Sequence, residues 1–155
     1  MNLEEALRAS QIFGGLTDRQ RARIADLVTI RRFDSGTVIL RQGTSAVTLY
    51  LILDGRVRVS REPEEGGASV SLATLGPGDV FGEMAVLDDE TRSSSITALE
   101  MTRCALLPRW ELHQELRRQP DVAIELLRIF ARRIRTLNER LAQLNSGATT
   151  PSGTE

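Results

Sequence analysis

Apolar positions recur with a helical period at both ends of this 155-residue chain and with a strand-like period in its middle. Residues 3–9 form a first short helical pattern. Thr17 and Gln20 are spaced as a capping box just before a second stretch of helical spacing, in which Ile24 and Leu27 are apolar. The pattern therefore predicts two helices at the N-terminal end.

Short β-prone runs separated by turn residues occupy the chain from about Thr29 to Leu107. This spacing is typical of a small antiparallel barrel or jelly roll. Asp54 and Gly55 stand between two β-prone runs, which is the signature of a tight hairpin. The turn sequences are Asp34-Ser35-Gly36, Gln42-Gly43, Asp54-Gly55, Gly66-Gly67 and Gly76-Pro77-Gly78-Asp79.

The helical period returns at Pro108, a residue that suits the first turn of a helix. The apolar positions of this helix are Trp110, Leu112 and Leu116. A further helix is predicted to open at Pro120.

This last helix is predicted to run to about Leu144 and to carry an apolar seam. The seam residues are spaced 3, 4, 3, 4 and 3 apart, as in heptad repeats. Leu126 and Ile129 lie on a neighbouring face and are predicted to pack on the barrel. The seam consists of Leu127, Phe130, Ile134, Leu137, Leu141 and Leu144.

The length of the last helix leads to a prediction about assembly. From Pro120 to Leu144 it would be about 37 Å long at 1.5 Å per residue, more than one small barrel needs as cover. We expect the distal half to project and to pair with the same helix of a second copy, giving a parallel homodimer. The alternative is that the helix bends near Asn138 and folds back as a lid over its own barrel.

These elements predict one α+β domain over residues 1–144, followed by a disordered polar tail over residues 145–155. The domain is expected to be an antiparallel β-roll or jelly-roll barrel, flanked by N-terminal helices and a long C-terminal helix. The length fits a single domain, and a hydrophobic content of 41% is enough for a core.

Composition excludes several classes of function. Twenty basic and 21 acidic residues give a formal net charge of −1, which argues against nucleic-acid binding over the whole surface. One cysteine, Cys104, and one histidine, His113, exclude a disulfide framework and a metal site built from several such residues. Cys104 lies in an apolar run and is predicted to be buried. The single cysteine and histidine lead us to expect no bound metal. Because no nucleophile is paired with a base in the sequence pattern, we also expect no enzyme activity.

The N-terminal residues lack the basic start and apolar stretch of a signal peptide. No apolar run approaches the ~20 residues of a membrane span. We therefore expect a cytoplasmic protein with no membrane partner.

The candidate chemistry lies in residues 81–95. Gly82 lets the backbone approach a ligand closely, and a helical turn from Glu83 would aim free N–H groups at an anion. Arg92 can return to the same place and meet a phosphate as a charged fork. Ser93 adds a hydroxyl donor, and Glu83 suits a sugar hydroxyl. On composition alone, Arg92 would instead be a solvated surface charge.

Residues 81–96 closely resemble the phosphate-binding cassette of cyclic nucleotide-binding domains. The matching residues read Phe-Gly-Glu-Met-Ala-Val and, after a short loop, Arg-Ser-Ser-Ser-Ile. Thr91 stands where the family usually has proline. Residues 43–57 and 75–82 resemble the family's upstream hairpin and the run into the cassette. The resemblance covers about residues 10–144.

This resemblance implies a role for individual residues. Arg92 would pair with the exocyclic phosphate oxygens, with help from backbone N–H groups near Ala85 and Ser93. Glu83 would accept a hydrogen bond from the ribose 2′-OH, and Gly82 would allow close approach. The predicted ligand-binding residues are Gly82, Glu83, Met84, Ala85, Arg92, Ser93, Ser94 and Asn138.

The base is expected to lie under the last helix. Alignment from Pro120 places the family's adenine-contacting pair at Leu137 and Asn138, where Asn138 could hydrogen-bond an exocyclic amine or carbonyl. Arg135 and Thr136 are neighbouring candidates, and a solvent-facing position is the alternative for all of them. We favour cyclic AMP over cyclic GMP.

The expected function is a regulatory receptor that binds a 3′,5′-cyclic nucleotide and relays occupancy to an effector protein or second subunit by movement of the C-terminal helix. A ligand-silent dimerisation or interaction module with the same fold is the alternative. Since no second helical pair follows the long helix, we expect no direct sequence-specific DNA binding. The arginines of the last helix are interpreted as a solvated face, with a surface for nucleic acid or an acidic partner as the alternative: Arg128, Arg132, Arg133, Arg135 and Arg140.

Overall fold

The computed structural model describes residues 1–45, 47–88 and 90–148, without the side chains of residues 85, 86 and 148. These residues form five helices and eight strands, and none of the helices is long and apolar enough to cross a membrane. The helices are α1 (Leu3–Ala9), α2 (Asp18–Ala25), α3 (Glu83–Asp88), α4 (Arg109–Arg118) and α5 (Pro120–Ala148). The strands are β1 (Thr29–Phe33), β2 (Val38–Leu40), β3 (Thr48–Asp54), β4 (Val57–Arg61), β5 (Val70–Leu75), β6 (Val80–Phe81), β7 (Ser95–Ala98) and β8 (Thr102–Pro108).

The strands form two four-stranded sheets, with the orders β1-β8-β3-β6 in the first sheet and β2-β7-β4-β5 in the second. The antiparallel pairs β4–β5, β3–β6, β2–β7 and β1–β8 are nested along the chain. The chain is thus one long hairpin rolled into two sheets, which is the topology of a jelly roll. The predicted fold class is confirmed.

The hairpin predicted at Asp54-Gly55 is wrong. β3 pairs with β6 and β8, whereas β4 pairs with β5 and β7, so the turn carries the chain from the first sheet to the second. Gly55 has a φ of +93°, and a Cβ added there would lie 2.5 Å from Thr102 Oγ1 at the start of β8. The glycine is therefore required by a corner packed against β8, a contact that the local sequence does not reveal.

Side chains of β3 alternate between two apolar layers. Leu49 and Leu53 face α1, α2, α4 and α5, while Ile52 and Tyr50 face the second sheet inside the roll. Cys104 lies in this inner layer with no exposed surface, and burial raises the pKa of its thiol to about 12. The prediction of a buried thiol is confirmed.

The capping box predicted for α2 is present. The Thr17 side chain accepts a hydrogen bond from the Gln20 amide, and the Gln20 side chain accepts one from the Thr17 amide. Asn2 and Glu5 form the same arrangement at the start of α1, where we did not predict it. The N-terminal ends of both short helices are therefore stabilised by local hydrogen bonds.

Only part of the apolar pattern of α4 faces the core. The helix begins at Arg109 with Pro108 as its N-cap, and Leu112 and Leu116 pack against the outer layer as expected. Trp110 does not follow them, since 65% of its surface is exposed. Residues two positions apart on a helix point to different sides, so Leu112 and Trp110 cannot share the core.

α5 is one helix of 29 residues that ends four residues beyond the predicted Leu144. Leu126 and Ile129 pack on the outer layer as predicted, whereas residues 134–147 are all exposed. The helix continues through Asn138, so the folded-back alternative is not adopted. Residues 145–148 of the predicted tail are helical, and residues 149–155 lie outside the described part of the chain.

Candidate functional site

A cavity of about 340 Å³ lies where the second sheet, the turn from β6 into α3 and the middle of α5 meet. One wall is apolar and comes from the second sheet, through Leu40, Val59, Leu75 and Ile96. The polar lining comes from the cassette and α5, through Gly82, Glu83, Arg92, Ser93, Ser94 and Arg133. The cavity therefore joins an apolar surface to a cluster of charged and hydroxyl groups.

Gly82 is required by its contact with Arg92. Its φ is +80°, a left-handed conformation that L side chains rarely adopt. A Cβ at this position would lie 2.3 Å from Arg92 Nη1 and 3.2 Å from the Thr48 carbonyl oxygen. α3 starts at the next residue, so the first amide groups of that short helix stand beside the same guanidinium.

Arg92 is a buried cation, with only 4% of its surface exposed. Nη1 donates to the Gly82 carbonyl at 2.8 Å, and Nη2 donates to the Thr48 carbonyl at 2.6 Å. Nε is buried without a hydrogen-bond partner among the described residues. The interpretation as a solvated surface charge is therefore wrong. Two carbonyl groups fix the position of the guanidinium, and its remaining N–H groups can still donate to a ligand.

Burial lowers the pKa of the Arg92 guanidinium, and the neighbouring Tyr50 and Glu83 act in the opposite direction. Arginine stays protonated in proteins, so this environment holds a positive charge that is costly to bury. A ligand with negative charge would relieve that cost by supplying the missing acceptors.

The backbone of Arg92 is fixed by the loop that follows β2. Its amide donates to the Thr44 carbonyl at 2.8 Å, and its carbonyl accepts from the Gly43 amide at 2.8 Å. A short antiparallel bridge joins Ser45 to Thr91. Thr91, which stands where the family usually has proline, thus takes part in a backbone bridge.

Glu83 is half-buried on the polar side of the cavity. Burial raises the pKa of its carboxyl, and a hydrogen bond from its own amide and the charges of Arg133 and Arg92 partly oppose this rise. The carboxylate thus lies within the field of two arginines, one from the cassette and one from α5.

Arg133 is one of the cavity residues that sequence reasoning missed. It was assigned to a solvated basic face, but it lines the cavity and its guanidinium lies 5.7 Å from the centre of the Phe130 ring. The available signal was the i, i+3 spacing of an arginine and an aromatic residue on one helix. Gln11 and Ile12, from the loop after α1, also line the cavity without having been predicted.

Of the other predicted ligand-binding residues, some line the cavity and others do not. Ser93 and Ser94 line the cavity, and Met84 lies at its rim with 61% of its surface exposed. The side chain of Ala85 lies outside the described part, although its backbone belongs to α3. Asn138 is exposed on α5, five residues beyond Arg133, and is not brought to the cavity. Its contact with a base stays a prediction.

Comparison with known proteins agrees with this geometry. The profile of the family "Cyclic nucleotide-binding domain" matches residues 30–119. The cyclic AMP receptor protein of Thermus thermophilus is 36% identical over 139 residues, which is 90% of this chain and 64% of that protein. The CRP-like cAMP-activated global transcriptional regulator of Mycobacterium tuberculosis is 30% identical over 142 residues, which is 92% of this chain and 63% of that protein.

The fold also has solved counterparts. The crystal structure of the N-terminal domain of a transcriptional regulator from Streptomyces coelicolor is similar, with a TM-score of 0.77 and 30% identity, over 86% of this chain and 95% of that one. This chain spans a little under two thirds of the length of both curated relatives, 63% and 64%.

Proposed function

Because this chain belongs to the cyclic nucleotide-binding domain family, we propose that it is a regulatory receptor for a 3′,5′-cyclic nucleotide, with cyclic AMP preferred over cyclic GMP. The observation that carries the proposal is the buried guanidinium of Arg92, which lines a cavity and keeps one donor without a partner among the residues that the structure describes. A cyclic phosphate is an anion that can supply acceptors there.

In this proposal the phosphate lies between Arg92 and the amide groups at the start of α3 and near Ser93. Glu83 accepts a hydrogen bond from the ribose 2′-OH. The apolar wall of Val59 and Ile96 lies on the opposite side and suits the sugar and base. Ser94 and Met84 complete the rim, and Ala85 contributes through its backbone.

Relay to the rest of the protein is proposed to run through α5. This helix reaches the cavity through Arg133 and the outer core through Ile129. A bound nucleotide brings the negative charge of its phosphate into the cavity that Arg133 lines, and so favours one position of α5 over another. In that position Asn138 would approach the base.

The distal half of α5 is proposed to form a parallel homodimer. Five seam residues, four of them in this half, have between 55% and 71% of their surface exposed. An apolar stripe of this length on a projecting helix is normally an interface, and a second copy offers the matching stripe. The exposed seam residues are Leu127, Ile134, Leu137, Leu141 and Leu144.

We propose neither catalysis nor direct sequence-specific DNA contact for this chain. In the described part of the chain, the arrangement around Arg92 suits the binding of an anion, and it pairs no nucleophile with a base. The output is instead a contact with an effector protein, which the charge of the bound ligand controls.

Calorimetric titration with cyclic AMP and cyclic GMP tests the receptor function. Wild type should bind both, cyclic AMP more tightly, and Arg92→Ala should lose about 2–5 kcal/mol of binding free energy. Arg41→Ala, an exposed arginine in the loop beside the cassette, should bind like wild type. Absence of binding at millimolar nucleotide would favour the ligand-silent module, and full binding by Arg92→Ala would refute the cassette assignment.

A second titration isolates the role of Glu83. Glu83→Ala should weaken the binding of cyclic AMP but leave the affinity for 2′-deoxy cyclic AMP unchanged. That analogue lacks the hydroxyl from which Glu83 is proposed to accept a hydrogen bond. An equal loss for both ligands would mean that Glu83 acts through cavity shape or charge.

A further inference from the structure

The connection between α4 and α5 is a single residue, Gln119. α4 ends at Arg118 and α5 begins at Pro120. Proline has no amide hydrogen and disfavours a helical conformation in the residue before it, so the sequence itself interrupts the helix here. Gln119 accordingly has a φ of −125° and a ψ of 77°, and its amide donates to the Glu115 carbonyl at 2.8 Å. The direction of α5 relative to α4 therefore depends on the backbone of this hinge residue.

Arg23 of α2 contacts both the hinge residue and the helix before it. Its Nε lies 3.0 Å from Oε1 of Glu115, a buried carboxylate in the last turn of α4. The side-chain oxygen of Gln119 accepts from Nη1 and Nη2 of the same guanidinium, each at 3.1 Å. A guanidinium presents its donors in a rigid fork, so these contacts favour one orientation of the hinge, whereas apolar packing has no direction.

α2 is anchored by contacts of its own. Ile24, next to Arg23, has no exposed surface and belongs to the outer layer of the core. Arg21 donates to the carbonyls of Gly14 and Leu16 in the loop before α2. The backbone of α2 is thus held on either side of Arg23, whose side chain reaches the hinge from a fixed element.

A small rotation at the hinge becomes a large displacement at the cavity. Arg133 lies thirteen residues after Pro120 on the same helix. That separation is about 20 Å along the axis, so a rotation of α5 by ~10° at the hinge moves Arg133 by about 3 Å. A displacement of this size is comparable to the length of a hydrogen bond and changes the contacts that Arg133 can make in the cavity it lines.

We propose that Arg23 is a positioning residue for ligand binding, which holds α5 at the angle that places Arg133 in the cavity. Arg23 acts from a distance, because it is not among the described residues that line this cavity. Without Arg23, Glu115 loses the cation with which it pairs, and Gln119 loses two donors. α5 then adopts a wider range of angles, and the affinity falls with the fraction that presents Arg133 to the ligand. The effect on affinity rests on the proposed function, whereas the effect on α5 does not.

Distance measurements between two spin labels test the effect on α5. The labels are attached at Thr136→Cys on α5 and Ser71→Cys on β5, both exposed positions, while Cys104 is buried. Labelled protein is diluted with unlabelled protein, so that only distances within one chain are observed. Without nucleotide, Arg23→Met should broaden the distance distribution by about 3 Å or more relative to wild type.

Two further variants make this measurement decisive. Gln119→Ala removes the hinge amide but keeps the ion pair of Arg23 with Glu115, so it should stay folded and broaden the distribution as well. Arg19→Met makes the same change as Arg23→Met at an exposed arginine one turn earlier on α2, and it should give the wild-type distribution. Wild-type distributions in both Gln119→Ala and a folded Arg23→Met would overturn the proposal.

Calorimetric titration tests the effect on binding. Arg23→Met should weaken cyclic AMP binding by about fivefold, and Arg19→Met should not. In an Arg133→Ala background the Arg23→Met change should have little further effect, because the side chain that it positions is absent. Additive losses would show that Arg23 does not act through Arg133 and would refute its positioning role. If wild type binds no cyclic AMP, the proposed function fails, and the spin-label distances still decide whether Arg23 holds α5.

Discussion

At the scale of single residues, the site consists of groups that are costly to bury and that constrain one another. Arg92 can be buried because the carbonyls of Gly82 and Thr48 accept two of its donors. Its guanidinium can lie against the backbone of residue 82 because that residue is glycine and has no side chain. Glu83 carries the opposite charge in the same half-buried setting, so both its protonation and its contacts depend on the two arginines nearby.

Gly82→Ala tests the dependence of Arg92 on the missing side chain. The added Cβ would lie 2.3 Å from Nη1, so the guanidinium must move and nucleotide affinity should fall by about tenfold or more. Gly36→Ala is the matched control, since Gly36 also has a positive φ, +87°, but has nothing within 4 Å of the added Cβ. Both variants should lose about 1–2 kcal/mol of unfolding free energy from the left-handed conformation. Calorimetric titration should separate them, and equal affinities would contradict the steric account.

Glu83 also makes stability depend on pH. Burial raises the pKa of its carboxyl in the folded protein above the ordinary 4.5, so the folded state binds a proton more readily than the unfolded state. Above the raised pKa the folded protein carries the cost of a buried charge, and that cost declines as the pH falls towards 4.5. Glu83→Gln should therefore be more stable than wild type at neutral pH, and its advantage should shrink on acidification.

Urea unfolding of both proteins across this pH range measures the effect. Glu64→Gln, in the exposed loop between β4 and β5, is the control and should show no such pH-dependent advantage. A constant difference between Glu83→Gln and wild type at all pH values would contradict a role for the Glu83 proton.

At the scale of elements, α5 divides into two halves with different environments. The first half packs on the outer layer through Leu126 and Ile129 and reaches the cavity through Arg133. The second half has no described residue against the roll. Helical propensity and a continuing heptad pattern extend the helix, and only a partner can cover its seam.

Sedimentation tests whether that partner is a second copy. Leu137→Glu combined with Leu141→Glu places carboxylates in the seam and should convert a dimer to a monomer without loss of fold, because both residues are exposed in the protomer. Thr136→Glu combined with Gln143→Glu adds the same charges outside the seam and should leave the dimer intact. A wild type that stays monomeric at high micromolar concentration, with and without nucleotide, would rule out this assembly.

At the scale of the whole molecule, the roll brings together parts of the site that are far apart in sequence. Thr48 lies on β3, Gly82 follows β6 and Arg92 precedes β7, so the three residues meet only once both sheets have formed. The binding of a ligand to this cluster is thus linked to folding of the entire domain, and ligand should stabilise the whole molecule.

Thermal unfolding measures this linkage. Cyclic AMP at a hundredfold excess over its dissociation constant should add about 2.7 kcal/mol of stability, which raises Tm by roughly 5–10 °C in a domain of this size. Arg92→Ala should show no such rise in Tm at the same concentration. Wild type with 5′-AMP should show none either, because that nucleotide has an open phosphate in place of the 3′,5′-cyclic phosphodiester. Recovery of the cyclic AMP unchanged after prolonged incubation would agree with a receptor, and turnover would contradict one.

The sequence by itself determined what depends on neighbours along the chain. The capping box at Thr17, the start of α5 at Pro120 and the Gly82–Glu83 turn into α3 are local, and each lies where its pattern predicts. Helical periodicity likewise placed Leu126 and Ile129 on the face beside the seam and predicted that they pack on the barrel. Local hydrogen bonds and helical periodicity are sufficient for such features.

Only the tertiary structure decided which segments meet. Asp54-Gly55 has the signature of a hairpin, yet both edges of β3 are taken by β6 and β8, and the chain crosses to the other sheet. Arg133 and Trp110 both lie on amphipathic helices, and the packing of each helix turned the first into the cavity and the second towards solvent. Periodicity shows that a helix or strand has two sides, but the partner of each side is fixed by contacts between residues far apart in sequence.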